Sequence, residues 1–180
     1  SATTAQNASP VVGAGTIIDG AIPTLTLSGP ADVNEAAGTL TYTVSLSAAS
    51  VAAVSVNYGT ANGSAIAGSD YSAVLGTVTF APGETTKTIT VSISNDNVFE
   101  GAENFQLALS NPSNAVLGNS SVVTTIHDDG TGVGGTDNDI PVVVTVSSPG
   151  TNEGGSLIFN VNLNNASTTP TTVNVNVASG

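Results

Sequence analysis

Through the middle of this chain apolar side chains recur at every second position, in one short run after another, and that period leaves few folds open. In "TLTYTVSLS" the residues Leu40, Tyr42, Val44 and Leu46 share a face; "AVSVNY" does the same with Val54, Val56 and Tyr58, and "GTVTF" with Val78 and Phe80. "KTITVSIS" follows with Ile89, Val91 and Ile93, and "NFQLAL" with Phe105, Leu107 and Leu109. An opening run, "PTLTLS", and a closing run, "SVVTTIH", flank them. Successive side chains of a strand point to opposite faces of its sheet, so these runs read as half-buried strands. Val, Thr and Ser dominate them, and β-branched side chains suit a pleated surface better than a helix. Turn signals such as "APGE" and "NPSN" separate the runs. The spacing predicts an all-β fold, a seven-stranded antiparallel β-sandwich.

The chain also repeats itself. "PTLTLSGPADVNEAAGTLTYTVSLS" parallels "PVVVTVSSPGTNEGGSLIFNVNLNN", with Pro23 matching Pro141 and Glu35 matching Glu153. "VVGAGTIIDG" near the start parallels "SVVTTIHDDG". The expected organisation is therefore tandem modules: residues 1–20 closing one module, 21–130 a complete sandwich, 131–139 a Gly- and Asp-rich linker, and 140–180 the first half of another. The strands of that half module, "SLIFNVNLN" and "TTVNVNVAS", are expected to lack partners and to leave open edges. Such edges are completed by neighbouring modules of the chain or by strand exchange between neighbouring copies.

Charge narrows the functions. Thirteen carboxylates face one Lys and no Arg, giving a net charge of -12. Nucleic-acid binding rests on cationic contacts to phosphate and is excluded, and anionic membrane surfaces are disfavoured for the same reason. With no cysteine there is neither a disulfide nor a thiolate metal site. No run of about 18 apolar residues is available to cross a bilayer, so membrane insertion by this segment is not expected. His127 beside Asp128 has no nucleophile-elbow pattern to serve, so the chain is not expected to be an enzyme.

The carboxylates are not scattered. If the strands run alternately up and down, every connection at one pole carries acid: Glu35, Asp70, then Asp96, Glu100 and Glu103, then Asp128 and Asp129. The opposite connections hold only Glu84. Two carboxylates about 5 Å apart repel by roughly 1 kcal/mol in water and about 3 kcal/mol at a protein surface. Turn preference alone explains single Asp residues, but it would load both poles equally. A hard divalent cation reverses the repulsion, and oxygen-only ligands from several loops favour Ca2+ over Mg2+. Asp137 and Asp139 lie in the linker leaving the acidic pole and are expected to complete the coordination, stiffening a Gly-rich joint.

The run "GSDYSAVLGTVTFAPGETTKTITVSISNDNVFEGAENFQLALSNPSNAVLG", closing with "TTIHDD", resembles a Calx-β domain. The resemblance covers residues 21–130 and extends to the half module after Ile140. It implies an immunoglobulin-like sandwich that binds Ca2+ through the loops of one end. The implied ligands are Glu35 of "VNEAAG", Asp70 of "GSDY", Asp96, Glu100 and Glu103 of "NDNVFEGAE", and Asp128 and Asp129 of "HDDG". Asn95 stands where calcium-rich members carry another acid. Such domains occur in sodium–calcium exchangers and in tandem in large bacterial surface adhesins, and the Lys-poor, cysteine-free repetition is most similar to the adhesin type. The expectation is a calcium-stiffened repeat module of a long extracellular protein on a bacterial surface, a rod-forming spacer or adhesive unit of biofilm type whose surface ligand the sequence leaves unnamed. The alternatives are a self-assembling extracellular filament subunit and a calcium-sensing regulatory domain.

Overall fold

Alternation along the chain becomes two facing sheets in the computed structural model, which describes residues 21–128 and 139–177. One sheet has the order β6-β3-β1-β9, built from β1 (Thr24–Ser28), β3 (Thr39–Leu46), β6 (Thr86–Ser92) and β9 (Val116–Leu117). The other has the order β2-β10-β8-β4-β5, from β2 (Asp32–Asn34), β4 (Val54–Asn62), β5 (Leu75–Phe80), β8 (Glu103–Ser113) and β10 (Ser121–His127). The two-residue β7 (Val98–Phe99) lies in the acid-rich loop before β8. Among the described residues there is no α-helix, only a 3-10 turn at Glu35–Ala37.

The core is the set of inward faces that the alternation marks. Leu25, Leu27, Tyr42, Val44, Val54, Val56, Phe80, Val91, Phe105 and Leu107 are all fully buried. Tyr71 stacks on Phe105, ring centroids 4.3 Å apart, closing the core at the acidic end. Two buried hydroxyls are satisfied in series: Thr124 Oγ1 donates to the Pro30 carbonyl (2.8 Å) and lies 2.6 Å from the Tyr42 hydroxyl.

Strand directions follow the alternate tracing. β1 pairs antiparallel with β3, and β3 with β6; β4 pairs antiparallel with β5 and β8, and β8 with β10. The expected opening strand forms as β1, and a further short strand that the alternation does not mark follows it. After β1 the chain crosses from one sheet to the other and resumes as β2, parallel to β10. Gly29 and Pro30 cause the break: proline donates no ladder hydrogen bond, and a Cβ at Gly29 would run into the Tyr42 ring. β9 likewise runs parallel beside β1, a short edge the alternation does not mark.

Beyond the linker, β11 (Val143–Val146) pairs antiparallel with β12 (Val161–Leu163). Val146 opposite Val161 repeats the Leu27–Val44 pairing of the complete module. The longer strands expected over "SLIFNVNLN" and "TTVNVNVAS" are shorter or absent here: only Val161–Leu163 of the first joins a ladder, and residues 171–177 join none. A strand needs neighbours to supply its hydrogen bonds, and the described residues offer no second sheet against these runs. β13 (Ala166–Ser167) instead pairs in parallel with β7, Ala166 opposite Val98 and Ser167 opposite Phe99. Residues 1–20, Asp129 and Asp137 lie outside the described residues.

Candidate metal centre

The acidic pole is assembled by short, locally determined pieces. At the end of β2, Asn34 caps the 3-10 turn: its Oδ1 accepts from the Ala36 N–H (3.0 Å) while its Nδ2 donates to the Asp128 carbonyl (3.1 Å). One side chain thus fixes both the Glu35 turn and the exit of β10. Gly38, at φ +69°, ends the turn and starts β3. In the Asp70 loop, Asp70 Oδ2 accepts from the Ile66 N–H (2.6 Å) and the Asp70 carbonyl accepts from Ser94 (2.9 Å), joining that loop to the end of β6. In the loop before β8, Asp96 Oδ1 accepts from the Val98 N–H (2.7 Å) and holds the bend into β7.

Two carboxylate triads result. Glu35, Asp128 and Asp139 bring one oxygen each to within 4.8 Å of one another, and all three side chains are buried. Asp139 arrives from the far side of the linker, yet it has no solvent exposure. Asp70, Glu100 and Glu103 form the second triad at the same spacing, partly buried. Asp128 Oδ2 accepts from the Glu100 N–H (3.0 Å), so one carboxylate links the triads.

The electrostatics record the crowding. Burial first, then a hydrogen bond shared with Asp70 and the charges of Asp70 and Glu100, push the Glu103 carboxyl up to about 7. Burial also raises Glu100, followed by repulsion from Asp70, Asp96 and Asp128. No lysine relieves this, because Lys87 pairs with Glu84 (2.9 Å) at the opposite pole.

Six of the sequence-predicted residues therefore fall into two triads, and Asp96 stands beside the second as a loop-former that contributes to its field. Asp129 and Asp137 lie outside the described residues. The sequence tally of the two poles overlooked Asp32, whose Oδ1 lies 2.9 Å from His127 Nε2 at the end of β10. It also overlooked Asn34, although Asn directly before Glu-Ala-Ala is a recognisable N-cap signal.

Residues 23–131 match the model of the Calx-beta domain family. The chain belongs to the Calx-beta domain family. Over 58 residues it is 53% identical to sodium/calcium exchanger 1 of Canis lupus familiaris, and over 56 residues 50% identical to sodium/calcium exchanger 3 of Homo sapiens. These matches cover 32% and 31% of this chain and 6% of either exchanger. Among solved structures, the apo-form Calx CBD1 domain superposes with a TM-score of 0.57 at 30% identity, covering 60% of this chain and 98% of that one. The CBD12 structure from CALX1.2 gives a TM-score of 0.56 at 30% identity over 59% of this chain and 45% of that one.

Within this Calx-beta module the two triads offer oxygen donors only. Metal ligands of this kind suit a hard cation that accepts many carboxylate and carbonyl oxygens in flexible geometry. The triads fit such a group: three buried carboxylates within 4.8 Å carry mutual repulsion that a divalent ion converts into attraction.

Proposed function

We propose that this module binds calcium at its acidic pole and that the ion clamps the segment after the linker onto the sandwich. The observation that carries the reading is Asp139: a residue eleven positions beyond Asp128 is fully buried against Glu35 and Asp128. Ionised carboxylates held this close repel one another, and a divalent cation among them reverses the sign of that interaction. Glu35, Asp128 and Asp139 would hold one ion and Asp70, Glu100 and Glu103 another, with Asp96 adding charge to the second. Asp129 and Asp137 are further candidate ligands from the linker. The ions would supply cross-linking charge, and no catalytic step is involved.

On this reading the module is a calcium-stiffened repeat of a long extracellular protein on a bacterial surface, of adhesin or biofilm type. The internal repetition, the absence of cysteine and the single Lys support that context. Its partners are neighbouring modules, and the pairing of β13 with β7 supports an intimate junction. A second reading, a calcium sensor controlling an attached transporter, draws on the relatives named sodium/calcium exchangers.

Calorimetric titration with calcium, alongside X-ray scattering with and without chelator, tests both. A spacer saturates at the millimolar calcium found outside cells, whereas a sensor requires reversible binding at roughly 0.1–10 µM. Chelation that changes neither the maximum dimension nor the melting temperature would remove the calcium reading altogether.

A further inference from the structure

Two loops of this chain are built alike, and one of them is docked. The first joins β3 to β4, "SAASVAA", residues 47–53; the second follows β12, "NNASTTP", residues 164–170. They leave matching strands, since Val161 faces Val146 across its ladder as Val44 faces Leu27. They open alike: Ser47 Oγ accepts from the Thr24 N–H (2.9 Å), and Asn164 Oδ1 accepts from the Val142 N–H (2.7 Å). They also turn alike: Ser50 Oγ accepts from the Ala52 N–H (3.1 Å), and Ser167 Oγ accepts from the Thr169 N–H (3.0 Å). In the second loop Ala166 and Ser167 lie parallel to Val98 and Phe99, and the Thr168 N–H donates to the Phe99 carbonyl (3.0 Å). Ala49, Ser50 and Val51 hold the same places in the first. There the Val51 N–H, counterpart of the Thr168 donor, meets no acceptor among the described residues, and the Val51 side chain is 90% exposed. The Gly83 N–H donates to the Ser50 carbonyl (3.0 Å), one residue earlier, and leaves that donor clear.

We infer that residues 49–51 of the sandwich are a docking loop for the acid-side loop of another module of this kind, held as β7 holds β13. Ala49 and Ser50 lie parallel to that module's counterparts of Val98 and Phe99, and the Val51 N–H donates to the carbonyl of the latter. This rests on the reading of neighbouring modules as partners and names the surface by which the sandwich meets one. The two halves of the joint lie at opposite poles, β7 in the acidic loop and residues 49–51 beside the turn that holds Gly83 and Glu84. The contact is therefore heterologous, and modules joined by it run head to tail. Within one chain β13 fills β7 at high effective concentration, so a second copy reaches β7 only where β13 is undocked.

The test traps the contact with engineered cysteines in the full chain, which has none of its own. A Cβ at Gly101 would lie 3.6 Å from Thr169 Cγ2 and meets no other atom within 4 Å, a spacing at which two cysteines bridge. Gly101→Cys with Thr169→Cys should close within one chain in a glutathione buffer containing calcium. Failure of that control overturns the β13–β7 junction, and the docking loop with it. Gly101→Cys with Thr168→Pro then frees β7 in one copy, and Ala52→Cys, at the counterpart of Thr169, arms the loop of a second. Mixed in equal amounts, the two should give a mixed dimer well beyond its statistical share against the two self-dimers. Adding Val51→Pro to the second copy should return the mixed dimer to that share, with melting curves showing each sandwich folded. Where the control closes, a mixed dimer at only its statistical share, or one unmoved by Val51→Pro, overturns the docking loop alone and leaves the junction standing.

Discussion

At the scale of single residues, the acidic pole is a store of repulsion whose sign depends on what binds there. Asp139 and Asp128 are both buried, and charges this close cost about 3 kcal/mol or more at an effective surface dielectric. Asp139→Asn removes one charge while nearly preserving shape. In chelator this variant should be more stable than the parent, by about 1–3 kcal/mol. In saturating calcium the order should reverse, because the variant forfeits a ligand. Thermal melting under both conditions checks the crossing; a variant less stable in both would mean that Asp139 serves packing alone.

Glu103 gives a second residue-scale prediction. Its folded carboxyl titrates near 7 against an ordinary value of 4.5, so between those values the folded state holds a proton that the unfolded chain releases. Metal-free stability should therefore fall as pH rises from about 4.5 to about 7 and level off above. Partial exposure to solvent keeps that loss modest. Calcium at Asp70, Glu100 and Glu103 must displace the same proton, so apparent affinity should climb by up to tenfold per pH unit toward pH 7 and then flatten. Calorimetry at several pH values, in buffers of different ionisation enthalpy, counts the proton released.

At the scale of elements, long strands were legible in sequence and short ones were not. β3, β4, β6, β8 and β10 each alternate over enough residues that one register buries the apolar face and the next exposes it. β2, β7 and β9 span two or three residues, carry no period of their own, and exist because the main chain passes a neighbouring strand at hydrogen-bonding distance. Alternate strand direction likewise named the pole at which acids gather but not which acids meet. The division into two triads depends on Asn34 tying Glu35 to Asp128 and on Asp70 reaching Ser94, contacts made across the sandwich. The crossing from β1 to β2 can be tested directly. Gly29→Val would push a branched side chain into the Tyr42 ring and displace the hydroxyl that meets Thr124. Overpacking of this kind costs about 1–3 kcal/mol, and the lost hydrogen bond about another 1 kcal/mol. Urea unfolding should report the sum as a lower midpoint with an unchanged slope, whereas a neutral result would mean that the crossing relaxes freely.

At the scale of the whole molecule, the segment beyond the linker is held to the sandwich twice. Asp139 anchors its start among Glu35 and Asp128, and some thirty residues later β13 pairs with β7, where Thr168 donates its N–H to the Phe99 carbonyl (3.0 Å). β7 sits between Asp96 and Glu100, so an ion that orders this loop also presents the strand on which β13 docks. If the attachments act as one clamp, loosening either weakens the other. Thr168→Pro removes the donated N–H and disfavours pairing there without touching a carboxylate. Combined with Asp139→Asn, it completes a double-mutant cycle. With calcium present, opening of residues 140–177 can be read by limited proteolysis or hydrogen exchange for the parent, both single variants and the double. A shared clamp gives a double variant whose opening free energy differs from the sum of the singles by more than about 0.5 kcal/mol, the margin within which independent sites add. In chelator the coupling should weaken, because on the proposed reading the two ions order the triads that the Asp128–Glu100 hydrogen bond links. Additivity under both conditions would mean that the linker and β13 hold the segment separately and that calcium stiffens only the first joint.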